Sequence, residues 1–202
     1  MMNHWILRYT EWKPEEHALR EGLCTLGNGV IACRGAFEEL TENDYNYPGT
    51  YLAGGYNRAT SQVADKEIEN EDLVNWPNWL YLTFRHEDGE WFDLTQVDVL
   101  DYTQELDLKK GILTRKIKFV DRKERISSLI SKRVISMSNT HEAGIEWILI
   151  PENWSGPITI RSGIDGRIRN HGVRRYRDLE SRHIRITGKG RADNHCLHLT
   201  AC

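Results

Sequence analysis

The chain has 202 residues, of which 28% are charged and 39% are hydrophobic, and its net charge at pH 7 is -3. This length allows one large domain or two small ones, with a core that needs neither disulfides nor a metal for support. The slightly acidic balance excludes a global electrostatic attraction to nucleic acid or to an anionic membrane. No apolar run approaches the roughly 18 residues that a membrane span needs. The segment Met1–Lys13 does not have the composition of a secretory signal.

The four cysteines, Cys24, Cys33, Cys196 and Cys202, form no Cys-x-x-Cys pair and no regular framework. This pattern favours reduced thiols in a cytoplasmic protein, and a disulfide between Cys24 and Cys33 is the alternative. The chain also contains seven Trp and eight Tyr residues. Aromatic residues at this density serve either a wide sandwich core or a carbohydrate site, and composition leaves both open.

The N-terminal part of the chain predicts two strands followed by a long loop. Trp5–Thr10 is a strand candidate, and the polar segment Lys13–Arg20 is either one helical turn or a loop. Gly27-Asn28-Gly29 predicts a tight turn, because Asn and Gly tolerate positive φ, and Val30–Arg34 then predicts a short buried strand. We expect Ala36–Glu71 to be mostly irregular, and long loops of this kind are usually functional or cover another domain.

The rest of the chain predicts further strands separated by turns. Asp98–Lys110 is interpreted as a connector with one helical turn, stopped by Gly111. Short strands at regular intervals, without a convincing long helix, predict a mainly β protein built as a large two-sheet antiparallel sandwich. The predicted strands are Leu80–Phe84, Trp91–Leu94, which forms a hairpin with it, Ile112–Val120, Arg125–Met137, Gly144–Ile150, Ile158–Arg161, His183–Thr187 and His195–Ala201.

Five sequence segments give the chain a recognisable pattern. They are LCTLGNGVIACRGAFEE (Leu23–Glu39), PGTYLAGGYNR (Pro48–Arg58), LVNWPNWLYLTF (Leu73–Phe84), LDLKKGILTRKIKF (Leu106–Phe119) and PENWSGPITIRSGIDGRIRNHGVRRY (Pro151–Tyr176). Each segment alone is a weak signal, but in this order they resemble the N-terminal domain of glycoside hydrolase family 65. That family includes maltose, trehalose, kojibiose and nigerose phosphorylases and some acid trehalases. Cys24, Thr25 and Trp76 depart from the family's usual residues, which affects packing rather than the assignment.

The resemblance implies that residues 1–202 form a single N-terminal sandwich, similar to the galactose-mutarotase-like supersandwich, with few short helices. In the family this domain precedes a helical linker and a catalytic (α/α)6 barrel. The barrel carries a glutamate general acid and a pocket for the phosphate that attacks with inversion, whereas hydrolytic members activate water with a second carboxylate. The last predicted strand also runs into Cys202 without a terminating loop, so we expect the natural polypeptide to continue.

The resemblance also implies partners and a co-substrate for the parent enzyme. The partners are the chain's own C-terminal barrel and a second copy in a homodimer, and the substrate is a disaccharide α-glucoside. Inorganic phosphate is the implied co-substrate if the parent is a phosphorylase, and no cofactor is implied. No catalytic residue is carried over to this chain, because the family's barrel lies beyond it.

Six residues are candidates for contact with the barrel or with sugar at the rim of its active site. Trp faces stack on sugar rings, and Asn side chains hydrogen-bond to hydroxyl groups. The alternative is that Pro77, which disfavours a helical conformation at the preceding residue, makes a corner where two Trp side chains plug the end of the sandwich. The six candidates are Tyr51, Tyr56, Asn57, Trp76, Asn78 and Trp79.

The basic loop Asp165–Leu179 is a second candidate region, because its guanidinium groups could hold an anion or an acidic partner surface. Arg174 and Arg175 are its leading candidates, and pairing with acids of the barrel or of a second subunit is the structural alternative. Nucleic acid is not an expected partner.

Two other clusters are expected to have no chemical role. His195, Cys196 and His198 are interpreted as ordinary strand residues rather than as a metal site, because neighbouring residues of a strand face opposite sides. The adjacent carboxylates Glu38 and Glu39 are expected on a solvated face rather than in acid–base catalysis.

Three functional hypotheses remain open. The first is a non-catalytic N-terminal sandwich of an inverting α-glucoside phosphorylase or hydrolase. The second is a free-standing carbohydrate-binding sandwich. The third is a self-contained mutarotase-like enzyme, which needs a His and a Glu around an open sugar face, and the sequence suggests no such pair.

Overall fold

The computed structural model describes residues 4–87, 89–170, 179–193 and 195–202. Arg174 and Arg175, proposed above as anion contacts, lie outside the described residues. The segment Lys13–Arg20 contains a 3-10 turn and the start of a seven-residue helix, α1 (His17–Leu23). No helix in the described ranges is both long enough and apolar enough to cross a membrane. The strands pair antiparallel throughout, which confirms the prediction of a mainly β sandwich.

The strands follow in chain order, and a second 3-10 turn lies between β7 and β8 at Leu94–Gln96. They are β1 (Ile6–Tyr9), β2 (Leu26–Gly27), β3 (Ile31–Cys33), β4 (Thr50–Leu52), β5 (Tyr56–Val63), β6 (Lys66–Leu73), β7 (Leu82–His86), β8 (Asp98–Asp107), β9 (Ile112–Val120), β10 (Ile126–Ile135), β11 (Ala143–Pro151), β12 (Ile158–Ser162), β13 (Ile186–Arg191) and β14 (Leu197–Ala201).

The largest sheet has five strands in the order β1-β8-β9-β10-β11. Its inner face is buried because successive side chains of a strand point to opposite sides. On β9, for example, Leu113, Ile117 and Phe119 are buried. The carboxylate of Asp121 holds the β9–β10 turn by accepting hydrogen bonds from backbone N–H groups, including that of Arg125 at 3.0 Å.

Two apolar clusters lie against this inner face. Cluster one includes Phe84, Phe92 and Phe119, and the ring centroids of Phe92 and Phe119 are 4.6 Å apart. Cluster two includes Leu26 and Leu106 and joins β2 and β3 to the large sheet. Strands β7 and β12 pair with each other, as do β2, β3 and β4, so these small sheets form the second layer of the sandwich.

A buried ionic layer runs between the two clusters. Arg115 on β9 lies between Leu113 of cluster two and Ile117 of cluster one. Its guanidinium donates to both carboxylate oxygens of Glu39, at 2.7 and 2.5 Å, and to Glu38 at 2.7 Å. All three charged side chains are buried. A buried charge is tolerated only when it is paired, which is the arrangement seen here.

Arg133 on β10 supplies a second buried guanidinium to the same layer. It donates to Glu38 and to the backbone carbonyls of Arg34 and Ala36, and the Ser131 hydroxyl donates to Glu38 at 2.7 Å. Burial alone would raise the pKa of Glu38, but Arg133 and a second arginine outweigh it and lower that pKa. The prediction that the adjacent carboxylates face solvent is therefore wrong, because two arginines neutralise them inside the core.

The prediction of an irregular segment at Ala36–Glu71 is wrong from Thr50 onwards, because this part contains β4, β5 and most of β6. The β5–β6 hairpin is mostly exposed, so it lacks the apolar alternation that marks a half-buried strand. Besides its backbone ladder, ion pairs hold it: Arg58 lies 3.2 Å from Glu69 and 2.9 Å from Glu71.

The predicted connector at Asp98–Lys110 is also wrong, because this segment forms the ten-residue strand β8. Tyr102, Gln104 and Leu106 alternate along it and are buried. The acidic residues between and around them disguise this alternation in the sequence.

The Asn-Gly turn and the other predicted strands are confirmed, with bounds that differ by a few residues, except that Trp91–Leu94 is not a strand and its last residue begins a 3-10 turn. Ile112–Val120 matches β9 at both ends. Gly29 has a φ of 86°, and the Asn28 side-chain oxygen accepts hydrogen bonds from the N–H groups of Val30 and Ile31 at 2.9 and 2.8 Å. The turn chemistry therefore fixes the β2–β3 hairpin in the expected way.

Candidate functional site

Asn75 holds the corner at which segment 75–79 leads the chain from β6 towards β7. Its side-chain oxygen accepts a hydrogen bond from the N–H of Thr50 at 3.0 Å. Its Nδ2 donates to the carbonyls of Pro48 at 3.2 Å and Arg169 at 3.1 Å. Because Asn75 is buried, one amide group clamps three distant segments of the chain together.

Asn170 makes the reciprocal contacts at this corner. Its Oδ1 accepts a hydrogen bond from the backbone N–H of Asn75 at 2.9 Å, and its Nδ2 donates to the carbonyl of Leu73 at 2.8 Å. The Tyr47 hydroxyl donates to the carbonyl of Arg169 at 3.1 Å. Segment 165–170 is thereby fixed against the corner, where it forms one wall of a cavity.

The cavity beside the corner has a volume of about 380 Å³, and Asn78 lies in its lining. Asn78 is 1% exposed and exchanges two backbone hydrogen bonds of 2.8 Å with Asp165. Its Oδ1 accepts from the N–H of Leu80, whereas its Nδ2 has no acceptor among the residues that the structure describes. The lining comprises Thr41, Glu42, Asn43, Asp44, Asn78, Asp165, Arg167, Ile168 and Arg169.

The charges of this cavity suit hydrogen bonding better than acid–base chemistry. Arg167 donates to both carboxylate oxygens of Asp165, at 2.9 and 2.8 Å. The side-chain hydrogen bond from Arg167 lowers the pKa of Asp165. A general acid needs the opposite shift, so Asp165 acts as an ionised hydrogen-bond acceptor. Amide and guanidinium donors beside carboxylate acceptors suit a ligand rich in hydroxyl groups, and the volume reaches the lower end of the ~300–1,000 Å³ of small-molecule sites.

Of the six predicted contact residues, Asn78 alone is in this cavity lining. Trp76 packs against the apolar cluster of Val74, Ile168 and Ile184. Trp79 packs against cluster two instead, so the two Trp side chains contribute to different parts of the core. Their contact with sugar or with a barrel stays a prediction.

The remaining three predicted residues lie away from the cavity. Tyr51 is half-buried on β4, and burial raises the pKa of its hydroxyl. Tyr56 on β5 is exposed. Asn57 donates from Nδ2 to the carbonyl of His183 at 2.6 Å, which ties the hairpin to the segment before β13. The structure thus brings Asn78 to a cavity but does not bring all six predicted residues together.

Several lining residues escaped the sequence analysis. Asp165 belonged to a loop noted only for its arginines, and the 41–44 segment belonged to one noted for its tyrosines. The signal that could have found them is the Asp-x-Arg spacing of Asp165 and Arg167, which permits the observed side-chain pair. Their approach to Asn78 depends on distant backbone pairing and had no local signal.

A mutarotase-like pair does occur, but it is sealed in the core. Nε2 of His17 lies 3.9 Å from a carboxylate oxygen of Glu21, and both side chains are fully buried. Glu21 also accepts hydrogen bonds from Arg34 and from the N–H of Tyr47. This His and Glu therefore face each other rather than an open sugar surface. Within the described ranges, no group of three or more His, Cys, Asp or Glu residues could hold a metal ion.

The fold and the cavity define an antiparallel β-sandwich whose buried charges are paired in the core and whose corner cavity is polar. The family model described as "Glycosyl hydrolase family 65, N-terminal domain" matches residues 7–202. The chain therefore belongs to this family, which confirms the resemblance drawn from the five sequence segments.

Similar proteins agree with this assignment. An uncharacterised glycosyl hydrolase of Mycobacterium tuberculosis is 41% identical over 89% of this chain and 14% of its own length. The kojibiose phosphorylase of Halothermothrix orenii is 32% identical over 89% of this chain and 22% of its own length. A solved structure of a kojibiose phosphorylase candidate from the human microbiome matches 72% of this chain and 20% of its own, with a TM-score of 0.62 and 23% identity, which supports the fold. The chain thus spans about a fifth of the length of such relatives.

Proposed function

We propose that this chain is the non-catalytic N-terminal sandwich of an inverting phosphorylase or hydrolase that acts on disaccharide α-glucosides. Its role is to support a C-terminal (α/α)6 catalytic barrel and to shape the rim of the active site. The family assignment and the phosphorylase names of the relatives support the substrate class. The short share of each relative that the chain spans supports a catalytic machinery, and a phosphate site, outside these residues.

The pairing of the buried carboxylates with arginines supports the proposal that this chain has a non-catalytic role. Glu38 and Glu39 are bound by Arg115 and a second arginine, and Glu21 is bound by Arg34 at 2.9 Å. Each of these acids is engaged in packing the sandwich. An inverting glycosidase instead needs two carboxyl groups that face one shared substrate space.

The test compares this chain with the longer natural polypeptide that contains it. Each is incubated with phosphate and with kojibiose, maltose or trehalose, and both glucose 1-phosphate, the product of phosphorolysis, and free glucose, the product of hydrolysis, are measured. We expect no product from the 202-residue chain and product from the longer polypeptide with at least one disaccharide. Turnover by the pure 202-residue chain would contradict the proposal.

The polar cavity favours a second candidate, a carbohydrate-binding module. The Nδ2 of Asn78, which has no acceptor in the described part of the chain, lies in a cavity with carboxylate and guanidinium neighbours. Titration with maltose, trehalose and glucose, followed by NMR, tests this candidate. Specific binding that Asn78→Ala abolishes and Gln62→Ala, on the exposed hairpin, preserves would favour the binding module. If millimolar sugar shifts no NMR signal of the chain, the result would favour the supporting role.

A cytoplasmic location is part of the same proposal. All four cysteines are free, and two of them, Cys24 and Cys33, are buried in the core. Free thiols of this kind are typical of a reducing compartment. Cell fractionation with compartment markers tests the location, and recovery in a secreted fraction would contradict it.

A further inference from the structure

Ile160 is an exposed apolar residue on a core-facing position. In the β7–β12 pair it lies directly opposite Phe84. Directly opposed residues of antiparallel strands project to the same face of the sheet. Phe84 belongs to cluster one and is 2% exposed, whereas Ile160 is 57% exposed. The core side of the sheet therefore continues past Phe84 to a position that nothing in the described residues covers.

The backbone of β12 also lacks a strand partner on one side, within the described residues. All five residues of β12 are exposed, and in the described part of the chain β7 is its sole strand partner. Strand β11 is likewise the last strand of the five-stranded sheet. The short segment 152–157 connects β11 to β12, so the end of β11 lies near the start of β12. Unprotected edges of this kind are normally paired or covered in native proteins.

Trp147 lies on the opposite sheet, close to Phe84. It lies on β11, packs against cluster one, and its ring centroid is 6.0 Å from that of Phe84. Its buried indole Nε1 has no acceptor among the described residues. A buried N–H without a partner is costly, so the polar contacts beside Phe84 are incomplete within the described residues.

We propose that the free edge of β12 pairs with a β-strand from the polypeptide that follows Cys202. This inference rests on the proposed function, in which the chain is one part of a longer enzyme. The incoming strand places apolar side chains beside Ile158 and Ile160 on the core side. On the other side it faces Arg161, whose guanidinium stacks over the Trp91 ring at 3.7 Å, so we expect polar or acidic residues there.

Two observations favour this occupant over a second copy. Relatives such as the Halothermothrix orenii enzyme extend far beyond the matched region, so the family has ample chain to supply a strand. The β13–β14 hairpin also packs beside Gly166, shortly after β12 ends: a Cβ on Gly166 would lie 2.8 Å from Ile186 and 3.1 Å from Leu199. The β13–β14 hairpin therefore lies beside the segment that follows β12.

The test places one substitution in two contexts. Ile160→Lys is made in the 202-residue chain and in the longer natural polypeptide, with Ile68→Lys on the exposed β5–β6 hairpin as the matched control. In the 202-residue chain we expect both variants to shift the unfolding midpoint by less than about 2 °C. In the longer polypeptide we expect Ile160→Lys to lower it by about 6 °C or more, because the lysine is then buried.

Hydrogen exchange of the β12 amides gives a second readout that does not depend on the variant folding. We expect amides at the free edge to exchange fast in the 202-residue chain and slowly in the longer polypeptide. Equal exchange in both contexts, or equal tolerance of Ile160→Lys and Ile68→Lys in the longer polypeptide, would overturn the proposal. A dimer of the 202-residue chain that Ile160→Lys dissociates would assign the edge to a second copy and also overturn it. The disaccharide assay separately decides the proposed function.

Discussion

Arg133 and Glu38 form an ion pair of 2.5 Å in which both side chains are at most 3% exposed, although 95 residues separate them in the sequence. The pair ties strand β10 to the segment that follows β3. Removing one partner of a buried pair leaves the other charge without compensation, so such a pair is costly to break even where forming it gives little net stability. Single substitutions in the ionic layer are therefore expected to be strongly destabilising.

Arg115→Met tests this layer. The variant removes the guanidinium that binds Glu38 and Glu39, and leaves two buried carboxylates with fewer donors. We expect the free energy of unfolding to fall by about 3–5 kcal/mol. Arg58→Met, which removes exposed ion pairs on the β5–β6 hairpin, is the control and should change it by less than about 1 kcal/mol. Urea unfolding followed by circular dichroism measures both, and equal midpoints for the two variants would refute the ranking.

His17 predicts a loss of stability in mild acid. Burial lowers its folded-state pKa from 6.5 to about 4. Between these values the unfolded chain binds a proton that the folded chain excludes, so stability falls as the pH falls, by about 3 kcal/mol for the whole shift. Burial raises the pKa of neighbouring Glu21, which gives the opposite slope because the folded state then holds its proton to higher pH.

His17→Gln separates these two contributions. The variant cannot titrate at position 17, so between pH 4 and 6.5 we expect the rise of stability with pH to shrink or to reverse, as the opposite contribution of Glu21 remains. Urea midpoints at several pH values measure the slope. An unchanged slope would show that His17 does not control acid sensitivity.

Asn75 predicts a local as well as a global effect. Asn75→Ala removes side-chain hydrogen bonds to Thr50, Pro48 and Arg169 at a buried position. We expect a loss of about 1–3 kcal/mol, because the released backbone groups lose their partners. Hydrogen exchange should increase at the Thr50 amide and its neighbours, while Gln62→Ala on the exposed hairpin leaves it unchanged. A uniform change across the whole sandwich would argue against a local clamp.

The cysteines predict two classes of thiol reactivity. Cys24 and Cys33 are buried, and burial raises the pKa of Cys24 to about 11. Cys196 and Cys202 are exposed. Since the thiolate is the reactive form, a colorimetric disulfide reagent at mild alkaline pH should titrate the two exposed thiols rapidly and the other two only after unfolding. Four fast thiols in the native protein would contradict the burial of Cys24 and Cys33.

The sequence was informative where a strand shows a clear alternation of apolar and polar residues. In the strand at Ile112–Val120 every second residue points inward, and these inward residues are apolar except for Arg115. The bounds of this strand were predicted correctly. The same rule fails for β5 and β6, because these strands gain stability from their ladder and from Arg58 rather than from a buried face. In β8 the inward residues do alternate, but Gln104 and the flanking acids obscure the pattern.

The buried charges and the cavity could not be predicted because their partners are distant. No residue close to Glu38 in the sequence indicates that Arg133 will pair with it. Adjacent carboxylates are ordinarily exposed. One local clue existed: Arg115 occupies an inward position between Leu113 and Ile117, where a charge requires a buried counter-ion. Asn78 was selected from the sequence as a contact residue and lies in the cavity lining, whereas Asp165 beside it comes from a segment that only the fold brings near.

The ionic layer also restricts how sequences of this family can diverge. Loss of a single arginine leaves an acid unpaired in the core, and loss of a single acid leaves an arginine unpaired. Evolutionary change through single substitutions at these positions is therefore destabilising. Replacement of the ionic layer by apolar side chains requires simultaneous substitutions at positions that are far apart in the sequence. In a collection of homologues we therefore expect Glu38, Glu39, Arg115 and Arg133 to be inherited or exchanged as a set, which makes them a co-evolutionary marker of this branch of the sandwich.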